Sequence, residues 1–300
     1  MEPEKVEIVP EIPADTPLTE ACFHHYSKTK TFSPTEIAFV MVDLWNTGFG
    51  PKPLSHLGWE AEYNGGKSFC DRAGEIERTR ILPMLSACRE LGITVVHAPT
   101  GDIAIKHRQW EEIATEEERD LPRLAPEPPD WPPSDWVQEW RQEHLHLFRT
   151  KEWMTNYRTY VRPNQDIPEP LKPVDGDLVI TTGDMMHRLM AARGIRVLFY
   201  CGFATNMCLI DKPGAIKEMA ERGYLPIVIR DATTGTENSE TVDGLWITRA
   251  FIDQIEMMWG YSITTGEFLD AIQHREEIQV PCRYMRMYKP LHQKRPSRTS

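Results

Sequence analysis

Short apolar runs recur along this chain and predict the strands of a buried sheet. Most are too short for a helix, and they are rich in the branched and aromatic residues that buried strands favour. Each ends at a proline, a glycine or a polar residue. The runs cover residues 37–42, 93–99, 177–182, 197–201 and 226–229.

Stretches with helical periodicity lie between and after these runs, at residues 75–91, 185–193, 215–222 and 241–258. The first three are followed by a glycine, which favours the left-handed turn that ends many helices. A strand, a helix and a second strand in succession predict parallel neighbours. We therefore predict an α/β fold, a three-layer sandwich with a central, mostly parallel sheet of Rossmann-type topology.

The same pattern predicts one large domain with extensions. Residues 35–270 hold all the predicted strands, 1–34 form a Pro- and Glu-rich arm, and 271–300 form a basic tail. Inside the domain, residues 100–175 lack strand signals and contain six prolines between 122 and 133 and five tryptophans. An insertion of this length is usually a lid or a binding element. Its tryptophans either line an aromatic pocket or anchor the insertion, and anchoring is the favoured interpretation.

Composition excludes several classes of function. The net charge of −11 argues against non-specific nucleic-acid binding and against docking on anionic membranes. No apolar run approaches the roughly 20 residues of a membrane span, and the acidic first residues lack the apolar core of a signal peptide. Six cysteines without CxxC pairing are expected to be reduced, so we expect a cytoplasmic protein.

Two chemically useful side chains follow predicted strands. Asp43 ends the run at 37–42, and Cys208 lies between the run at 197–201 and a predicted helix. Open α/β sheets place their ligands at the carboxyl ends of the strands, so both residues are candidate site residues. Nearby backbone N–H groups and a helix dipole are expected to favour the Cys208 thiolate. Turn formation by Asp43 and packing by Cys208 are the simpler alternatives.

The histidines give weaker signals. His97 ends the second predicted strand and is interpreted as a residue that hydrogen-bonds backbone in the interior, rather than as an acid–base group. His24 and His25 lie in the arm with no partner at metal-ligand spacing, and are interpreted as polar surface sequence.

Three segments together resemble the isochorismatase-like cysteine hydrolases. They are Val40-Met41-Val42-Asp43, the turn Gly202-Phe203-Ala204-Thr205-Asn206-Met207-Cys208, and Gly223-Tyr224 leading to Asp231-Ala232 on the fifth strand. The resemblance covers roughly residues 36–260, and the arm, the insertion and the tail lie outside its motifs.

This resemblance implies hydrolysis of an amide, carbamoyl or related C–N bond without a cofactor. Cys208 would be the nucleophile that forms a thioester, and Asp43 the general base and acid. Backbone N–H groups of Ala204 and Cys208 would form the oxyanion hole, next to a cis peptide between Phe203 and Ala204. The expected substrate contacts are Trp45, Phe203 and Asn206. Relatives of this kind commonly form homo-oligomers.

One departure from the family pattern affects the third catalytic group. The family has a lysine at the end of the third strand, where this chain has Thr181-Thr182. Lys106 is the preferred replacement because it follows the second strand most closely, and Lys151 and Lys212 are the other candidates. The metal-binding Asp-x-His pattern of the nicotinamidase branch is not evident, so no catalytic metal is expected. The missing lysine also leaves open a catalytically silent protein that binds a small molecule or a protein partner.

Overall fold

The computed structural model describes residues 23–46, 66–120, 157–273 and 277–287, with residue 20 and isolated positions between 130 and 155. None of the helices in these ranges combines the length and the apolar composition that a membrane crossing requires.

Eight strands form one sheet in the described residues. They are β1 Phe23–Phe32, β2 Ile37–Val42, β3 Thr94–Ala98, β4 Leu178–Val179, β5 Val197–Phe203, β6 Leu225–Thr234, β7 Tyr261–Ile263 and β8 Ile278–Met287. Their order is β1-β8-β7-β6-β5-β2-β3-β4. Strands β2 to β7 pair in parallel, whereas β8 runs antiparallel to both of its neighbours. The predicted central, mostly parallel sheet is confirmed.

Helices cover both faces of the sheet. They are α1 Gly66–Ile76, α2 Leu82–Leu91, α3 Gly101–Ala104, α4 Arg108–Ile113, α5 Glu116–Asp120, α6 Gly183–Arg193, α7 Cys208–Asp211, α8 Ile216–Glu221, α9 Trp246–Met258 and α10 Thr265–Ile272. A π-helical segment, Glu77–Ile81, joins α1 to α2.

The alternation of side chains along β2 divides the core into two layers. Phe39 points to one face and stacks on Phe268 of α10 at 5.7 Å between ring centroids. Val40 points to the other face, in a buried cluster that includes Met186 of α6 and Met219 of α8. A strand that is apolar at every position is typical of a sheet covered on both sides. The three-layer sandwich is therefore the observed architecture.

The sheet extends further than the sequence predicted. Residues 23–32, assigned to the arm, form the edge strand β1, and residues 278–287, assigned to the tail, form β8. The two strands pair along their whole length, from Phe23 with Met287 to Phe32 with Ile278. Part of the predicted arm and part of the predicted tail thus belong to the domain.

Among the described tryptophans of the 100–175 insertion, Trp110 packs on the domain. Trp110 on α4 is buried, and its Nε1 donates to the Thr181 hydroxyl at 3.3 Å. Trp131 and Trp136 are largely exposed, and Trp140 and Trp153 lie outside the described residues. Trp110 has the anchoring role that the sequence favoured.

A close approach between β5 and β2 requires a glycine at 202. Gly202 has φ +108°, and an added Cβ there would lie 2.0 Å from the Val42 carbonyl oxygen. Contact of this kind with backbone cannot be relieved by turning a side chain. The glycine therefore lets the two strands that carry Cys208 and Asp43 run side by side up to their carboxyl ends.

Replacing this glycine is expected to destabilise the protein strongly. Gly202→Ala should lower the free energy of unfolding by more than about 3 kcal/mol, because a backbone clash adds to the strain of a positive φ. Gly176→Ala is the matched control, since Gly176 also has a positive φ (+95°) but open space around it. It should cost only about 1 kcal/mol. Equal losses in urea unfolding would contradict the close approach.

Candidate active site

Asp43 lies at the tip of β2, between β5 and β3 in the sheet. It is fully buried, and its backbone has φ 44°, a left-handed conformation that aspartate tolerates better than most residues. Its N–H donates to the Ala98 carbonyl at 3.2 Å, which continues the β2–β3 pairing by one residue. The end of β2 therefore holds the Asp43 carboxylate in a buried position at the carboxyl edge of the sheet.

The turn after β5 brings Cys208 to the same rim. The peptide between Phe203 and Ala204 is cis, as the family resemblance predicts. The Thr205 N–H then donates to the Thr234 carbonyl at 3.1 Å, and the Thr205 and Thr233 hydroxyls lie 2.6 Å apart. These contacts tie the turn to the end of β6. Cys208 follows as the first residue of α7 and is the half-exposed cysteine among the buried ones of the described chain.

Lys212 joins the two strand ends. Its Nζ donates to Asp43 Oδ1 at 2.5 Å and to the Ala98 carbonyl at 2.8 Å. The side chain is 12% exposed and the Asp43 side chain is fully buried, so this is an ion pair largely shielded from solvent. Lys212 caps the four-residue helix α7 that Cys208 begins, and so the loop after the thiol returns over the aspartate.

These neighbours determine the protonation of Cys208. Burial, followed by the negative charge and the hydrogen bond of the adjacent Asp43 carboxylate, raises the pKa of the Cys208 thiol to about 12. The Lys212 charge and the Cys208 backbone N–H lower the pKa, but by less. The expectation of a thiolate is wrong for this arrangement. A helix of four residues has a small dipole, and burial beside a carboxylate outweighs it.

The lysine preferred from the sequence lies elsewhere. Lys106 donates to the Gln165 carbonyl at 3.1 Å and so ties two parts of the insertion together. Lys151 lies outside the described residues. Of the three candidates, Lys212 is the one whose contact with Asp43 the structure records. Choosing the lysine by its nearness to the second strand overlooked that the one-turn helix α7 brings the residue after it, Lys212, back to Asp43.

The threonines at the usual lysine position have structural contacts. Thr181 accepts the hydrogen bond from the Trp110 indole, and Thr182 caps α6 by accepting from the Met185 N–H at 3.1 Å. Both side chains are thus occupied in holding α4 and α6 against the sheet end.

The expected substrate contacts are mostly buried. Trp45 is 7% exposed and Phe203 1%, and Phe203 packs edge-on against Phe69 in the core. Asn206 is partly exposed, and its side-chain oxygen accepts from the Thr236 N–H at 2.9 Å. Substrate contact by these three residues stays a prediction.

His97 is an interior residue, as expected, but its partner is a side chain. Its Nε2 lies 3.0 Å from Asp177 Oδ2, and Arg89 donates to the same oxygen at 2.5 Å. Burial lowers the pKa of His97, and Asp177 opposes that shift. The cluster ties β3 to α2 and to the segment before β4.

Comparison with known proteins adds sequence relatives to this geometry. No protein-family model matches the chain. The ureidoacrylate amidohydrolase RutB of Azorhizobium caulinodans is 24% identical over 249 residues, which cover 79% of this chain and 90% of the relative. RutB of Agrobacterium fabrum is 22% identical over 264 residues, which cover 83% and 95%.

A cysteine hydrolase from Pseudomonas syringae is among the solved structures with a similar fold. It aligns with a TM-score of 0.47 and 18% identity, over 81% of this chain and 95% of the other. The strand-tip aspartate and the cis-peptide turn that leads to Cys208 are features on which the resemblance to the isochorismatase-like cysteine hydrolases rests, and the chain is similar to the two ureidoacrylate amidohydrolases over most of their length.

Proposed function

We propose that this protein is a cysteine-dependent hydrolase that cleaves a small amide, carbamoyl or related C–N bond through a thioester. The meeting of Cys208, Asp43 and Lys212 at one rim of the sheet carries the proposal. Both curated relatives are named as amidohydrolases of a ureido compound, which supports the same class of bond. A ureido acid is accordingly the first substrate to test.

The protonated thiol makes a base necessary. With a pKa of about 12, about one Cys208 in 10⁵ is a thiolate at pH 7. The proton must therefore leave as the sulfur attacks, and the neighbouring Asp43 carboxylate is the group in position to take it.

The reaction then balances in two halves. Cys208 Sγ forms a bond to the carbonyl carbon, its proton passes to Asp43, and Asp43 returns that proton to the leaving nitrogen as the C–N bond breaks. Water then attacks the thioester, giving one proton to Asp43, and the thiolate leaves and regains it. No cofactor is needed in either half.

The oxyanion would lie at the start of α7. Cys208 is the first residue of that helix, and N–H groups in the first turn of a helix have no intrahelical acceptor. The Cys208 N–H and the Ala204 N–H on the cis-peptide turn are the proposed donors to the tetrahedral intermediate.

Lys212 is the proposed third group. A carboxylate buried in the interior without a countercharge would be strongly destabilised. The Lys212 ammonium supplies that countercharge and lowers the pKa of Cys208. The alternative, a catalytically silent binding protein, was suggested by the absence of a lysine at the end of the third predicted strand. Lys212, which directly follows α7, provides a lysine beside Asp43, and that argument for a silent protein no longer applies.

Activity should depend on the Cys208 sulfur. The wild-type protein should release ammonia or amine from at least one compound in a panel of ureido acids, carbamoyl compounds and primary amides, and Cys208→Ser should lose at least about 10³-fold in kcat/KM. Mass spectrometry of quenched reactions should show an acyl adduct on the peptide that contains Cys208. A silent protein would give neither turnover nor adduct with any member of the panel.

Loss of the Lys212 charge should be far more harmful than loss of the Lys106 charge. Lys212→Met is expected to lower kcat/KM by at least about 10²-fold, because the buried Asp43 carboxylate loses its countercharge. Lys106→Met, the matched control, should stay within about twofold. Circular dichroism verifies the fold of both variants. If Lys106→Met lost more activity than Lys212→Met, Lys106 and not Lys212 would be the third catalytic group.

Removing the Asp43 charge should make the thiol more reactive even as hydrolysis stops. Asp43 raises the pKa of Cys208, so Asp43→Asn should speed iodoacetamide alkylation of Cys208 at pH 8 by at least about threefold. Wild-type alkylation should be slow at pH 7 and still rise beyond pH 9.0, the ordinary thiol pKa.

The control is Asp211→Asn, which removes an exposed carboxylate from α7, the helix that begins with Cys208. It should leave the alkylation rate of Cys208 unchanged. Peptide mass spectrometry assigns the label to Cys208 and not to the buried cysteines. A plateau near pH 9.0 in the wild type, or slower alkylation in Asp43→Asn, would contradict the electrostatics of the site.

A further inference from the structure

We propose that His25, Asp253 and Glu256 form a binding site for one divalent transition-metal ion, of which Zn²⁺ is the best match. His25 belongs to the edge strand β1, and the two acids lie three residues apart on α9, hence on one face of that helix. The sequence left His25 without a partner, and the fold supplies two carboxylates from more than 220 positions away.

The spacing of the three ligand atoms fits a single ion. His25 Nε2 lies 2.9 Å from Asp253 Oδ1 and 3.3 Å from Glu256 Oε2, and all three atoms lie within 4.8 Å of one another. Ligands that bind Zn²⁺ at about 2.0–2.2 Å in a tetrahedron are roughly 3.3–3.6 Å apart. Small rotations of exposed side chains would complete this geometry.

Glu256 provides an independent sign of a missing ligand. The residue is 4% exposed, and its Oε1 accepts from Ser262 Oγ at 2.5 Å and from Arg283 Nε at 2.8 Å. Its Oε2 is buried and makes no hydrogen bond to any residue that the structure describes, yet it faces His25. Buried carboxylate oxygens are rarely left without a partner. One oxygen is therefore held in place and the other is directed at the cluster, as in metal sites with an oriented ligand.

The local charge also favours a cation. Two carboxylates face one guanidinium, Arg283, and the imidazole is a metal ligand in its neutral form. A net charge of about −1 remains, which a divalent ion reverses to +1. One nitrogen and two oxygens suit Zn²⁺, whereas Ca²⁺ and Mg²⁺ prefer oxygen ligands alone. Water would complete the coordination shell.

This site would attach the edge of the sheet to the helical layer. In the sheet order, β8, β7 and β6 separate β1 from β5, whose following turn carries the proposed nucleophile. The role would therefore be structural, and the inference is independent of the proposed hydrolase chemistry. A metal bridge would fix β1 to α9, whereas among the strands that the structure describes β1 pairs with β8 alone.

Zinc titration of chelator-treated full-length protein tests the proposal. Calorimetry should find one Zn²⁺ per chain, and zinc should raise the melting temperature. His25→Ala and Asp253→Asn should each weaken binding by at least about tenfold and remove the thermal shift. His24→Ala is the matched control, because neighbouring strand residues point to opposite faces, and it should bind zinc like the wild type.

A second metal and a cysteine variant complete the test. Co²⁺ should give the visible absorption bands of four- or five-coordinate ions, and these should vanish in His25→Ala. Cys208→Ser should keep the full stoichiometry, which separates this site from the reactive thiol. Absence of stoichiometric binding, or equal zinc affinity in the wild type and His25→Ala, would overturn the proposal.

Discussion

The burial of the Asp43 carboxylate beside a thiol is the constraint on which the arrangement of the rim depends. Removing a carboxylate from water costs several kcal/mol unless a partner compensates, and Asp43 is fully buried. Lys212 is that partner, at 2.5 Å. Since Lys212 is only four positions beyond Cys208, the same contact that neutralises the carboxylate also sets where the thiol lies. Charge compensation and the placement of the nucleophile are thus a single structural requirement.

The position of Lys212 shows that the cation of such a site is defined by where its charge lies in space and not by where the lysine lies in the sequence. At the end of the third strand, Thr181 and Thr182 hold α4 and α6, and the cation arrives from the helix after the nucleophile. The Lys212 ammonium also binds the Ala98 carbonyl at the end of β3.

The outer strands were missed for physical reasons. Strand β1 has the sequence FHHYSKTKTF, whose polar and basic residues are typical of an exposed edge and not of a buried run. Strand β8 contains Pro281, and a proline lowers the expectation of a strand. Each strand is stabilised mainly by the other, through a pairing that joins the two ends of the chain. A contact between such distant segments leaves no local pattern to detect.

By itself the sequence determined the five strands β2 to β6 and the residues at their tips, because a continuous apolar run such as 37–42 requires burial wherever it lies. It therefore located Asp43 and Cys208 at one rim before any coordinates. Only the tertiary structure decided which lysine reaches Asp43, that the Cys208 thiol is protonated, and that His25 faces two acids. Each of these depends on burial or on distance between remote segments, and neither quantity is encoded in a local stretch of residues.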